Sequence, residues 1–344
     1  MPDSSLMLLI LIIALAIGFG IANGFNDAAN AIATVIGTRV LSPRKAIIMA
    51  AFLNFAGAAT GLEVAKTIGK GILVPEALTY TTAIAGLAAA IIWVTLATYY
   101  GLPLSVSHSL VAGLAGAGMA VAGIGAVVWS VMERVAASVV AAPVLGFIGG
   151  FALMVILFWV FRRSAPAKIQ SIFGKLQILS AAFMSYSHGK NDGQMAIGVI
   201  AMGLTIYYQE IGQSGQAAAV WDEIAFGNLW WVILISSLSI GLGTAFGGWR
   251  VIRTLGLRVT TLRPIHGFAA ETAGAAVIET ASLLGIPVST THCITSAIMG
   301  VGTTKRFSAV RWGVARPIVA AWIITFPICG GLGYLFAWLL KLIL

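Results

Sequence analysis

Two polar segments of the sequence repeat each other. The first reads Gly101-Leu-Pro-Leu-Ser-Val-Ser-His108, and the second, in the other half of the chain, reads Gly285-Ile-Pro-Val-Ser-Thr-Thr-His292. The proline of each segment disfavours helix before it and suits the first turn of a helix after it, and the hydroxyl residues that follow favour helix N-caps. A helix N-terminus carries about half a positive charge and is a ready anion site. The repeated motif therefore predicts two anion-binding helix starts.

An oxyanion held between two such helix starts would receive hydrogen-bond donors from two sides. Phosphate fits this geometry because it presents acceptor oxygens in every direction. The alternative is that the hydroxyl and histidine side chains only cap two helices, but the matched duplication favours a binding role. The predicted phosphate-binding residues are Ser105, Ser107, His108, Ser289, Thr290, Thr291 and His292.

A second duplicated element is an Asn-Asp pair inside an apolar segment. It appears as Asn26-Asp27 in the first half and as Asn191-Asp192 in the second. A carboxylate inside a membrane costs roughly 2.5–3.5 kcal/mol on insertion scales, so it needs a ligand, a proton or a partner. The predicted cation-coupling residues of these segments are Asn23, Asn26, Asp27, Asn30, Asn191 and Asp192.

The coupling cation is left open at this point between Na⁺ and H⁺. Oxygen ligands suit a dehydrated Na⁺, for which Asp27 and Asp192 are the predicted metal ligands, whereas the same carboxylates can instead take up protons. A purely structural reading pairs each Asp with a neighbouring Lys or Arg, and Lys190 is the nearest candidate. Lys190 has no counterpart beside Asp27, which weakens that reading.

Two further acids lie on the segment before Gly285. Glu271 follows His266-Gly267-Phe268, and we expect it to act as a cation ligand or proton carrier. For Glu279, structural and functional readings are equally favoured. The positions that correspond to these two acids in the first half hold Leu87 and Thr95.

The composition indicates a membrane protein. The chain has 344 residues, of which 59% are hydrophobic and 9% charged, and its mean hydropathy is +0.99. Since soluble domains carry about 25% charged residues, a soluble fold is excluded. We predict an all-α integral membrane protein with about 10–12 transmembrane or re-entrant segments, some of them broken helices. The main apolar runs are Leu6–Ala22, Ala46–Gly61, Thr81–Tyr100, Ala136–Phe161, Leu229–Phe246 and Ile318–Leu340.

The net charge of +9 is unevenly distributed along the chain. Basic residues concentrate in four segments, whereas Thr205–Asn228 holds three acids and no Lys or Arg. By the positive-inside rule the basic segments face the cytoplasm, and both termini are expected outside. Nucleic-acid binding is not expected, because the charge follows loop ends instead of one face. The four basic segments are Arg39–Lys45, Arg162–Lys175, Arg250–Arg263 and Lys305–Arg316.

The repeats and the charge divide the chain into two halves. Residues 1–161 and 176–344 are predicted as two inverted-topology repeats, joined by a short basic cytoplasmic linker at 162–175. Each half contains one Asn-Asp pair and one glycine-rich re-entrant segment, at 101–125 and 285–302. This organisation is typical of secondary transporters whose site lies between the repeats near the bilayer midplane.

Four motifs together resemble the inorganic phosphate transporter (PiT) family. They are Gly24-Phe-Asn-Asp-Ala-Ala-Asn-Ala31, His188-Gly-Lys-Asn-Asp-Gly-Gln194 and the two Gly-[LI]-Pro-x-Ser-x-x-His segments, in the family's order. The resemblance implies cation-coupled phosphate uptake, inverted repeats and a homodimer. It also implies ion-coupling roles for Asp27, Asp192 and Glu271, and phosphate binding by the hydroxyl residues of the two re-entrant motifs. Asn54 stands where some relatives have Glu, which leaves Na⁺ and H⁺ both open.

The expected function is phosphate symport with Na⁺ or H⁺ by alternating access in the cytoplasmic membrane. No cofactor is expected beyond the coupling ion. The alternatives are a sulfate or other oxyanion permease or channel of the same fold and, less favoured, an intramembrane hydrolase. A hydrolase needs one asymmetric set of nucleophile, base and orienting acid, whereas the polar motifs of this chain come in pairs.

Overall fold

The computed structural model describes residues 2–246 and 248–343, and within this part the chain is almost entirely helical and forms no sheet. Met1, Gly247 and Leu344 lie outside the described residues. The helices of the first half are α1 (Pro2–Asn26), α2 (Ala28–Gly37), α3 (Pro43–Ala58), α4 (Glu63–Lys70), α5 (Tyr80–Tyr100), α6 (Val106–Ala122) and α7 (Trp129–Val160).

In its described residues, the second half contains eight α-helices and two π-helical turns. One long segment contains α8, a π-helical turn at Gly189–Gly193 and α9, and a second π-helical turn follows α12 at Thr254–Arg258. The helices are α8 (Pro166–His188), α9 (Gln194–Glu210), α10 (Ser214–Phe226), α11 (Trp230–Phe246), α12 (Trp249–Arg253), α13 (Pro264–Leu283), α14 (Thr290–Thr303) and α15 (Trp312–Leu340).

Several helices are long and apolar enough to cross a bilayer. Four continuous stretches of the described chain qualify, at Ser4–Gly37, Tyr80–Tyr100, Trp129–Val160 and Trp312–Leu340. Two bent pairs qualify together, α3 with α4 at 69° and α10 with α11 at 63°. The predicted all-helical membrane protein with broken helices is confirmed.

The regular α-helix is interrupted at each polar motif. Asp27 separates α1 from α2, and Asn191 and Asp192 lie in the first π-helical turn. A glycine with left-handed backbone follows each of α5 and α13, Gly101 at φ 69° and Gly285 at φ 65°, and the chain then turns back into α6 and α14. A glycine is required there because other residues are strained at positive φ.

Each re-entrant helix packs closely against the long final helix of the other half. Helix α14 lies on α7, and α6 lies on α15. A Cβ added at Gly300 would come 2.1 Å from Phe147 O, and one at Gly116 would come 2.0 Å from Gly330 O. Small residues therefore bring these backbones together, as is typical of helix pairs in membranes. The packing holds α14 against α7 and α6 against α15.

Candidate ion and anion site

The two re-entrant motifs contact each other through equivalent residues. Ser107 Oγ donates to Val288 O at 3.1 Å, and Thr291 Oγ1 donates to Leu104 O at 2.8 Å. In the repeated motif Ser107 corresponds to Thr291, and Leu104 corresponds to Val288. The tips of α6 and α14 thus form one reciprocal contact between the halves of the chain.

Both helices begin with the same serine cap. Ser105 Oγ accepts from the backbone N–H of His108 at 3.1 Å, and Ser289 Oγ accepts from that of His292 at 3.2 Å. Both serines are fully buried. The caps hold the first turns of α6 and α14 in place, and the remaining first-turn N–H groups have no partner within their own helices. These are the donors that an anion between the tips would use.

Asp27 is buried at the break between α1 and α2, and neutral donors surround it. It accepts hydrogen bonds from the Thr291 hydroxyl, from Asn30 Nδ2 at 2.7 Å and from the backbone N–H of Val106 at 3.4 Å. Asn30 Nδ2 also reaches Thr291 Oγ1 at 2.5 Å. A carboxylate from the first half is therefore linked to the second re-entrant tip.

Asp192 contacts the first re-entrant tip as Asp27 contacts the second. Its Oδ1 accepts from Ser107 Oγ at 3.4 Å, and its Oδ2 lies 3.5 Å from His188 Nε2. The neighbouring asparagines also match, because Asn26 Nδ2 donates to Thr98 Oγ1 at 2.6 Å and Asn191 Nδ2 donates to Ser282 Oγ at 2.9 Å. The two Asn-Asp pairs therefore make equivalent contacts with α5 and α6 and with α13 and α14.

Ligand atoms of Asp27, His188 and Asp192 all lie within 4.8 Å of one another. His188 Nδ1 is 2.6 Å from Asn54 Oδ1, which can only accept, so Nδ1 carries the proton and Nε2 presents a lone pair. Two carboxylates and an imidazole lone pair then converge at one point. This arrangement suits a bound cation or proton, because without one the three groups repel each other.

The predicted alternative partner of Asp192, Lys190, is engaged elsewhere. The Lys190 ammonium forms an ion pair with Glu279. Its side chain is 14% exposed and that of Glu279 is 22% exposed, so the pair is largely buried. The structural reading that pairs Asp192 with Lys190 is wrong, because Lys190 pairs with Glu279. Among the described residues, no Lys or Arg therefore forms an ion pair with either carboxylate of the Asp27–His188–Asp192 cluster.

Glu271 forms a separate buried cluster. Its carboxylate accepts from the hydroxyls of Thr34 and Ser180 and from Gln177 Nε2 at 3.1 Å. Thr34 lies on α2, about two turns after Asp27, which connects the two carboxylates through one short helix. Glu271 is completely buried, and its described partners are neutral donors. It fits a second cation or proton position.

Four predicted site residues are placed less directly. The rings of His108 and His292 contact each other, with centroids 5.1 Å apart, and also contact Phe326 and Trp322 of α15. Their nitrogens, Thr290 Oγ1 and both polar atoms of the Asn23 amide are buried without a hydrogen-bond partner in the described chain. These groups retain unused hydrogen-bonding capacity close to the tips.

Several residues of these clusters were not predicted from the sequence. His188 was part of a quoted motif but was not predicted as a ligand, although it occupies the position of Asn23 when Asp192 is aligned with Asp27. That correspondence was the available signal. Thr34, Gln177 and Ser180 had none, because hydroxyl and amide residues in helices usually bond their own backbone or a neighbouring helix.

The chain resembles known proteins over most of its length. The profile of the "Phosphate transporter family" matches residues 23–333. A "probable low-affinity inorganic phosphate transporter" of Rhizobium meliloti (strain 1021) is 44% identical over 321 residues, which cover 93% of this chain and 92% of that protein. A protein of the same name from Bacillus subtilis (strain 168) is 40% identical over 343 residues, 99% of each chain.

A solved structure, described as "the sodium-dependent phosphate transporter", has the same fold. It superposes with a TM-score of 0.87 at 28% identity, and the match covers 98% of this chain and 100% of the other. The relatives are named as transporters, which rules against the hydrolase alternative. The chain therefore belongs to the phosphate transporter family.

Proposed function

We propose that the chain carries inorganic phosphate across the cytoplasmic membrane together with Na⁺ or H⁺, by alternating access. The observation that carries the proposal is the link from each buried aspartate to the re-entrant tip through one hydroxyl, Thr291 to Asp27 and Ser107 to Asp192. The relatives' names and the sodium-dependent structural neighbour support the same substrate and a cation.

The anion is assigned to the two helix starts. The candidate phosphate ligands are Ser105, Ser107, Ser289, Thr290 and Thr291, with His108 and His292 behind them, and free backbone N–H groups of α6 and α14 complete the set. Helix starts are neutral overall, so they stabilise phosphate without adding a full positive charge. The neutralising charge comes from the coupling cation.

The cation is assigned to Asp27, Asp192 and the surrounding side chains. Asn23, Asn26, Asn30 and Asn191 supply neutral oxygens or orient the carboxylates, and His188 supplies a nitrogen. Glu271 provides a second cation or proton position. Cation and anion binding are coupled because the same hydroxyls contact a carboxylate and a tip. The loaded site has less net charge, which lowers the cost of moving it past an apolar barrier.

The two halves would exchange the access of this site between the two sides of the membrane. The reciprocal tip contacts and the matched helix pairs support inverted repeats at 1–161 and 176–344 around the linker 162–175. The distribution of basic segments supports both termini outside. We propose a homodimer on the resemblance to the family alone.

Radiolabelled phosphate influx into proteoliposomes tests the proposal. Na⁺ and H⁺ gradients are imposed separately, with sulfate as the competing anion. We expect concentrative phosphate uptake that follows one of the two gradients and is not displaced by equimolar sulfate. Uptake that ignores both gradients would refute cation symport, and uptake that sulfate blocks more strongly than phosphate would favour the oxyanion alternative.

The aspartates provide the matched variants. Asp27→Asn and Asp192→Asn keep the side-chain shape but remove the charge, so we expect gradient-driven uptake to be abolished while the protein still reaches the membrane. Asp222→Asn, an exposed acid on α10, is the control and should transport normally. Normal coupled uptake by both Asp27→Asn and Asp192→Asn would remove these residues from the site.

A further inference from the structure

A cavity of about 340 Å³ opens beside the second re-entrant tip, apart from the aspartate cluster. Its polar wall contains three cations, Lys66 and Lys70 on α4 and Arg134 on α7, and its floor is the tip itself, Gly285–Pro287. All three basic side chains are exposed. We define these three residues as the basic vestibule.

The cations of the basic vestibule have no acidic partner among the described residues. Lys70 lies 5.4 Å above the Trp221 ring, and Arg134 Nε donates to Ser130 O at 3.3 Å. The nearby Glu63 accepts from the backbone N–H of Leu62 at the start of α4 and is not in an ion pair. Three unpaired positive charges around one concave wall attract and retain anions.

The floor of the vestibule leads directly to the candidate site. Thr67 Oγ1 donates to Gly285 O at 2.7 Å, and Asn191 Nδ2 reaches Ile286 O at 3.3 Å. Two residues after Ile286, Val288 O accepts a hydrogen bond from Ser107 Oγ, and Ser107 Oγ also contacts Asp192. The tip therefore separates the vestibule from the aspartate cluster by a few residues of backbone.

The equivalent position at the first tip is different. Thr254 Oγ1 donates to Gly101 O, as Thr67 does to Gly285 O, but the nearby cation Arg250 bonds Tyr99 O and lies 4.7 Å from the Tyr99 ring. The cavity beside it has almost entirely apolar walls. Among the described residues, three basic side chains thus line the cavity at the second tip, whereas one lines the cavity at the first. This asymmetry indicates a role in one direction of passage.

The side of the membrane follows from Trp221. It lies in the segment Thr205–Asn228, which lacks Lys and Arg and is expected outside. Lys70 packs on this ring, so the vestibule shares the same face. We propose that Lys66, Lys70 and Arg134 form an outer capture site for inorganic phosphate, which holds the anion against the second tip before it reaches the aspartate cluster. This inference rests on the proposed function.

The first test compares phosphate kinetics in proteoliposomes of known orientation. The triple variant Lys66→Gln, Lys70→Gln, Arg134→Gln should raise the KM for phosphate presented at the outer face about tenfold or more, since steering fields change capture by 10–10³-fold. Vmax should stay within twofold of the parent. The matched control, Arg163→Gln, Lys168→Gln, Lys175→Gln, removes three exposed charges from the basic linker and the start of α8, and should leave the outer KM unchanged.

Three outcomes overturn the capture site. They are an outer KM equal to that of the control, a lowered Vmax with unchanged KM, and an equal rise in KM for phosphate presented at the inner face. Each of them leaves phosphate transport by the parent intact. If the parent itself moves no phosphate, the proposed function fails, and the capture site is judged by binding.

The binding test does not depend on transport. The purified protein is treated with a small amine-reactive acetylating reagent, with and without inorganic phosphate. Acetylation of Lys66 and Lys70 is measured by mass spectrometry. Millimolar phosphate should slow the modification of both lysines several-fold but not that of Lys168. Equal modification rates with and without phosphate would exclude a phosphate site at the vestibule.

Discussion

Ser107 and Thr291 each have one hydroxyl hydrogen and two acceptor oxygens within reach, a carbonyl of the opposite tip and a carboxylate. One acceptor of each pair is therefore left without that hydrogen. Protonation of the aspartate, or a bound cation, resolves the competition, because the carboxylate then no longer needs the hydroxyl. The state of the carboxylate thus decides which acceptor receives the hydroxyl hydrogen.

A variant of Thr291 tests this role at the level of one hydroxyl. Thr291→Val keeps the shape of the side chain, but it removes the hydroxyl that donates to Asp27 and to Leu104 O. Since an unsatisfied buried group costs about 1–3 kcal/mol, we expect the ratio kcat/KM for phosphate to fall roughly five- to 150-fold. Phosphate titration of initial uptake rates measures this ratio.

The control variant for this prediction lies on the same helix. Thr303 is at the far end of α14, and its hydroxyl bonds the carbonyl of Gly300 in its own helix, so Thr303→Val should keep the parent kinetics. Equal kinetics for Thr291→Val and Thr303→Val would show that the Thr291 hydroxyl does not act in transport.

At the scale of elements, the re-entrant helices depend on close backbone contact. Helix α6 lies against α15, where a Cβ at Gly333 would come 2.2 Å from Gly113 O. The neighbouring Gly331, also on α15, is exposed and has nothing within 4 Å of an added Cβ. Gly333 thus packs against another helix, whereas Gly331 of the same helix does not. Alanine substitutions at the two positions therefore distinguish the effect of packing from that of helix propensity.

The pair gives a prediction about stability. Gly333→Ala should lower the thermal unfolding midpoint in detergent, because overpacking typically costs about 1–3 kcal/mol, and it should slow phosphate uptake by displacing the first tip. Gly331→Ala should keep or slightly raise the midpoint, since alanine is favoured over glycine in helices by up to about 1 kcal/mol. A Gly333→Ala midpoint equal to that of Gly331→Ala would contradict the close packing.

The sequence predicted these elements well where a motif was duplicated. Pro103 and Pro287 with their hydroxyl residues predicted both helix starts, and the structure has them at Val106 and Thr290. The π-helical turn at Gly189–Gly193 and the pairing of Lys190 with Glu279 were not predictable. A π turn depends on packing by neighbouring helices, and a pair 89 residues apart depends on which faces the fold brings together. Local pattern carries neither piece of information.

At the scale of the whole molecule, the reciprocal contacts make the site a joint product of both halves. Asp27 comes from the first half but is held by Thr291 of the second, and Asp192 is held in turn by Ser107 of the first. Neither half alone contains all the residues of the candidate site. Relative movement of the halves therefore changes the site directly, which is the property that alternating access requires.

The orientation of the molecule in the membrane determines which side the proposed capture site faces. Asp222 on α10 and Lys168 on α8 are both exposed, and the charge distribution predicts them on opposite sides of the membrane. The native thiols Cys293 and Cys329 are fully buried, so they should contribute little labelling. Single substitutions to cysteine at the two exposed positions are therefore suitable reporters.

We expect a membrane-impermeant maleimide added to intact cells to label Asp222→Cys at once and Lys168→Cys only after the membrane is permeabilised. The parent chain, with its two native cysteines, is the background control. Because Trp221 packs against Lys70, the same measurement determines the side on which the basic vestibule opens. Labelling in the reverse order would show the opposite orientation in the membrane. Both termini would then lie in the cytoplasm, and the proposed capture site would face inward.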